Sequence, residues 1–68
     1  MTTTTHTVKT RYGWGWEVIG PAGATCPIET AIAAQALADA LNDGFSAAAA
    51  IDIAGLRFQN GRLYAKTR

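Results

Sequence analysis

The dipeptide Asn60-Gly61, set between two runs that alternate apolar and polar residues, constrains this chain more than any other feature. Both residues tolerate the positive φ angles of a type I′ turn, whose twist matches that of paired strands. A hairpin over Leu56 to Lys66 follows, with Phe58 opposite Leu63 and Leu56 opposite Ala65 on one face. Arg57 opposite Tyr64 and Gln59 opposite Arg62 then fall on the other face, because strand side chains alternate with period two. The first face reads as core and the second as solvent-facing.

A second hairpin is expected near the start. Residues 6–12 are β-branched and alternating, and Trp14 to Gly20 resumes the alternation after Gly13. A three-residue loop at Tyr12-Gly13-Trp14 opposes Val8 to Val18, Thr10 to Trp16 and Lys9 to Glu17, which joins apolar to apolar and cation to anion. Between the hairpins, Gly20-Pro21-Ala22-Gly23 is turn chemistry, and Pro27 suits the first turn of a helix running to about Asp43. Thr25 or Cys26 is its expected N-cap, Glu29 sits at the positive end of its dipole, and Gly44 is its expected C-terminal cap.

On a helical wheel, Thr30, Ala34, Leu37, Ala38 and Leu41 share one side, with Glu29, Gln35, Asp39, Asn42 and Asp43 opposite. Ile28 and Ile32 fall among the polar residues, either as a staple to the preceding loop or as a second contact surface. Ser46 and the alanines after it predict a short helix ending at Gly55; the alternative is that Ile51 to Ala54 begins the next strand. The expected fold is therefore α+β, in ββα(α)ββ order: a four-stranded antiparallel sheet made of two hairpins, with one main helix across one face.

Sixty-eight residues form one domain, and residues 1–5 are expected to fray. The chain is 49% apolar, but much of that is alanine, so Trp14, Trp16, Phe45, Phe58, Leu63 and the few other branched residues carry most of the hydrophobic driving force. The start has neither the basic region nor the apolar run of a signal peptide, and no stretch approaches a membrane span, so a cytoplasmic protein without membrane association is expected. Cys26 is the single cysteine and His6 the single histidine, which leaves no metal-ligating cluster, no cofactor motif and no catalytic set. His6 reads as an exposed residue near a loose end. Cys26 reads as a small packing residue, with an activated thiol at a helix start as the alternative. Gly13-Trp14-Gly15-Trp16 lacks the strand-to-helix setting of a phosphate loop. A binding protein rather than an enzyme is expected.

The charge distribution says where it binds. All six cations, Lys9, Arg11, Arg57, Arg62, Lys66 and Arg68, lie near the two ends with only Glu17 among them. Residues 21–54 hold Glu29, Asp39, Asp43 and Asp52 and no cation. The proposed registers gather Lys9, Arg11, Arg57, Arg62 and Tyr64 on the outer sheet face, with Trp14 at the loop tip as an apolar anchor. Such a face suits an acidic surface on a larger protein or nucleoprotein complex. Nucleic acid is the alternative ligand, because cations interleaved with an aromatic can stack bases and neutralise phosphates. A homodimer through Ile28, Ile32 or the strand edges is a third arrangement.

Gly15-Trp16-Glu17-Val18 in a first hairpin, an alanine-rich helix, and Asn60-Gly61-Arg62-Leu63 in a last one resemble the hairpin-helix-hairpin order of short phage and bacterial accessory proteins, among them anti-CRISPR inhibitors. The likeness is architectural and spans most of the chain. It implies a phage-type inhibitor of a host defence complex that works by blocking a surface. The confinement of acids to the middle of the chain argues against mimicry of DNA.

Overall fold

A computed structural model describes residues 6–10, 13–21 and 23–66. The elements in chain order are β1 (Thr7–Thr10), β2 (Trp16–Gly20), β3 (Gly23–Ala24), α1 (Ala31–Asn42), α2 (Ala47–Ile53), β4 (Leu56–Gln59) and β5 (Arg62–Ala65). Both hairpins form in the expected registers: Val8 faces Val18, Lys9 faces Glu17 and Thr10 faces Trp16, while Leu56 faces Ala65, Arg57 faces Tyr64 and Phe58 faces Leu63. Asn60 (φ +54°) and Gly61 (φ +77°) make the turn with the two positive angles it needs.

The hairpins do not, however, combine into one four-stranded sheet. β1, β2 and β3 form a three-stranded sheet and β4 and β5 a two-stranded one. They are joined by Ile28, which bridges antiparallel to Trp16 on one side and parallel to Leu63 on the other. The N–H of Ile28 donates to the Trp16 carbonyl at 2.7 Å, and the Trp16 N–H donates back at 2.8 Å. The Leu63 N–H donates to the Pro27 carbonyl at 2.7 Å, and the Glu29 N–H to the Leu63 carbonyl at 2.9 Å.

This insertion moves the helix start. The expected helix from Pro27, capped by Thr25 or Cys26, begins instead at Ala31, where the Thr30 hydroxyl accepts the Ala33 N–H at 3.1 Å. Hydrophobicity explains the correction: on a helix Ile28 falls among polar neighbours, whereas as an extended residue between two hairpins it is completely buried. It is therefore unavailable for a dimer contact. Ile32, which stays on α1, is 85% exposed. Glu29 does not sit in the first helical turn; its carboxylate accepts the Ala65 N–H at 3.1 Å and extends the pairing of β5.

Gly44 (φ +98°) ends α1 as expected, its N–H donating to Leu41 and that of Phe45 to Ala40, which satisfies two end carbonyls. Residues 47–53 are helical rather than strand, and the Ser46 hydroxyl accepts the Ala49 N–H. Among the described residues no helix is long and apolar enough to cross a membrane.

α1 packs over β1 and β2, and α2 beside α1 and over β4, so both helices lie on one side of the strands. Val18, Ile28, Leu37, Leu56 and Leu63 form the core with alanines of both helices, and Val8 and Trp16 pack against it. Two aromatics depart from expectation. Phe45 is about half exposed, and Phe58, on the inner face opposite Leu63, is 62% exposed although Leu56, two residues before it on the same face, is buried. A cleft of about 260 Å³ remains there, walled by Leu37, Leu41, Ile51, Phe58 and Leu63, with Cys26 at its rim. Cys26 is accordingly exposed, not a packed core residue. His6, expected to be solvent-exposed, is half-buried and docked: its N–H donates to Asn42 Oδ1 at 2.8 Å, and Asn42 Nδ2 donates to its carbonyl at 3.2 Å.

Ile28→Ala should cost about 2–5 kcal/mol, as buried isoleucine truncations do, and leave little folded protein in urea titrations followed by circular dichroism. Gly15 and Gly13 both have positive φ, but a Cβ on Gly15 would lie 2.6 Å from the Ile28 carbonyl oxygen while one on Gly13 meets nothing within 4 Å. Gly15→Ala should therefore lower the urea midpoint clearly more than Gly13→Ala; equal losses would show that the close approach to Ile28 is unimportant.

Candidate functional site

Three locally determined features build the outer face. The register of β4 and β5 sends Arg57 and Tyr64 outward as a pair, with Gln59 and Arg62 beside them. Ile28 places β5 within reach of β2. Gly15 then breaks the alternation between Trp14 and Trp16: with φ at +75° the chain turns, so that Trp16 packs on the core while Trp14 reaches the opposite face. There the Trp14 ring meets Tyr64 edge-on, with centroids 5.7 Å apart and planes at 62°.

Two guanidinium groups flank this aromatic pair. Arg57 Cζ lies 5.3 Å from the centre of the Tyr64 ring, and Arg62 Cζ lies 4.6 Å from that of Trp14. The order is thus Arg57, Tyr64, Trp14, Arg62, alternating from cation through two rings to cation. Arg57 Nη1 also donates to the Gln59 side chain, a partner that sequence inspection did not single out although Gln59 shares the outward face. Trp14 and Tyr64 are half-buried, whereas both arginines are exposed.

Four of the six residues expected at the binding surface therefore form one contiguous group. Lys9 does not touch it. It stands on β1 opposite Glu17 of β2, three strand spacings from β5, or about 14 Å away across the outer face. Arg11 lies outside the described residues.

The segregation of charge along the chain becomes a partial segregation by layer. Lys9, Arg57 and Arg62 stand on the strands, while Asp39, Asp43 and Asp52 stand exposed on the helices or at their ends; Glu17 on β2, opposite Lys9, and Glu29, bonded to β5, are the acids of the strand layer. Lys66 pairs with Asp52 at 3.3 Å, but both side chains are well exposed and such a pair contributes little. Among the described residues neither Arg57 nor Arg62 pairs with a carboxylate. Chemically the face offers two oriented guanidinium groups and two ring edges. The described residues contain no group of three or more His, Cys, Asp or Glu side chains arranged to hold a metal ion.

If the Arg62 and Trp14 contact contributes as exposed cation–π pairs do, a double-mutant cycle with Arg62→Ala and Trp14→Ala should give a coupling of about 0.5–1 kcal/mol in urea denaturation. A coupling of zero would mean that Arg62 is not held by the ring. No family model matches this chain, and no curated protein or solved structure was found similar to it, so its reading rests on its own residues and their geometry.

Proposed function

We propose that this protein is a small non-enzymatic binding module that engages an acidic surface on a larger protein or nucleoprotein complex through Arg57, Tyr64, Trp14 and Arg62. One observation carries the reading: two arginines are stacked on aromatic rings and have no carboxylate partner among the described residues. Stacking uses the flat face of a guanidinium and leaves its N–H groups for hydrogen bonding; Arg57 spends one on the Gln59 side chain, and those that remain on the two arginines can pair with a carboxylate. It also restricts a flexible side chain before the partner arrives, which lowers the entropy lost on binding. Occupying a surface of a host defence complex, as anti-CRISPR proteins do, is a use that needs no more than such a face.

The alternation of cations with aromatic rings favours a second reading, nucleic acid, since bases stack on rings and phosphates pair with arginine. The two differ in salt dependence. Displacement of counterions from a nucleic acid gives a steep linear fall of log affinity with log salt.

The double variant Arg57→Glu, Arg62→Glu should keep its circular dichroism spectrum and lose more than about a hundredfold in affinity for the partner captured from host lysate, given about 1.5–3 kcal/mol per charged hydrogen-bonding group. Unchanged affinity would overturn the assignment of this face. Capture abolished by nuclease, with a mobility shift that fades steeply with salt, would establish nucleic acid instead.

A further inference from the structure

Phe58 is the most exposed large side chain of the core-facing layer of the last hairpin. Its register partner Leu63 is 2% exposed, yet Phe58 itself is 62% exposed, a large aromatic on the inner face with nothing laid over it. The space beside it is the cleft of about 260 Å³ bounded across the gap by Leu37, Leu41 and Ile51.

The chemistry of this cleft restricts what can fill it. No charged side chain lines it. The one hydroxyl on its wall, that of Thr25, is already committed, accepting the Val18 N–H at 3.1 Å and donating to the Cys26 carbonyl at 3.2 Å. A polar occupant would lose its water and gain no partner, so the occupant is apolar. Size narrows it further. A cavity of about 150 Å³ holds a benzene ring, whereas drug-sized ligands and cofactors occupy about 300–1,000 Å³. The cleft fits one bulky side chain.

Its surroundings indicate which kind of chain brings that side chain. Phe58 follows Arg57 and Leu63 follows Arg62, so the inner wall of the cleft and the two guanidinium groups, which pair with no carboxylate among the described residues, are on opposite faces of the same ribbon. β4 pairs only with β5 among the described residues, which leaves its outer side open to a segment passing from one face to the other. At about 3.3 Å per extended residue, carboxylates two to four residues from an anchor in the cleft come within reach of the arginines. We infer that the cleft receives a single large apolar side chain from an acidic segment of the partner protein, whose flanking carboxylates pair with Arg57 and Arg62. This inference rests on the proposed function of the basic face and adds the anchor, in the manner of interfaces in which one buried aromatic carries much of the affinity.

The test uses the wild-type protein and three synthetic peptides with blocked ends: Asp-Glu-Asp-Gly-Trp-Gly-Asp-Glu-Asp, whose acids lie two to four residues from the anchor, the same peptide with Ala for Trp, and Lys-Lys-Lys-Gly-Trp-Gly-Lys-Lys-Lys. The acidic tryptophan peptide should bind at least about tenfold more tightly than the alanine peptide, shift the methyl resonances of Leu37, Leu41, Ile51 and Leu63, and slow alkylation of Cys26 by iodoacetamide. Ala47→Trp, at an exposed position on the cleft wall, should leave the fold intact and remove the advantage of tryptophan over alanine. Equal binding of the two acidic peptides, lost in Arg57→Glu, Arg62→Glu, would overturn the cleft while leaving the basic face in place. Equal occupation of the cleft by the acidic and lysine-flanked tryptophan peptides would overturn the acidic partner. Absence of binding by either acidic peptide at millimolar concentration would overturn both.

Discussion

The backbone of Ile28 holds the two halves of this protein together. It exchanges two hydrogen bonds with Trp16, its neighbours Pro27 and Glu29 each make one with Leu63, and its side chain is completely buried. Four such bonds contribute about 1 kcal/mol each net, and burial of the isoleucine adds about 1.5–3 kcal/mol. A domain of this size has only a few kcal/mol to spare, so this one crossing point is comparable with its whole stability. It also determines the surface. With Leu63 drawn toward β2, the outward-facing Tyr64 arrives where Gly15 has turned Trp14, and the row from Arg57 to Arg62 closes.

The helices explain the other face of the sheet. They begin and end at well-formed caps, Thr30 and Ser46 at the starts and Gly44 and Gly55 at the ends, so their lengths follow from local chemistry. Their inward residues are mostly alanine, which allows close approach but covers little area. Leu37 is buried in one core cluster with Val18 and Ile28, and Leu41 packs against it, whereas Phe58 stays exposed across a cleft from Leu37, Leu41 and Ile51. A small core thus leaves an uncovered aromatic and a cleft on the same ribbon that presents two stacked arginines outward. Both faces of the last hairpin therefore leave side chains exposed.

Local signals account for much of this. The registers of both hairpins, the two helices, their C-terminal glycines and the outward placement of Arg57, Arg62 and Tyr64 were legible because each depends on residues close in sequence and on the two-residue period of a strand. The role of Ile28 was not legible in that way. Pro27 and Ile28 fit a helix start by local criteria, and the polar neighbours of Ile28 on the wheel were the only sign of misfit. Its true setting needs Trp16 and Leu63, which lie 12 residues before it and 35 after it.

The same division applies to the candidate site. By itself the sequence determined which residues point outward and that its cations avoid its middle, because alternation and composition are properties of the chain. Only the tertiary structure decided that Trp14 would leave the face of Trp16 to stack with Tyr64 and Arg62, that Lys9 would stand apart, and that Phe58 would wall a cleft. Those outcomes depend on how far the alanine-rich helices reach and on where one buried isoleucine joins two hairpins, and such distances arise only when separate segments pack.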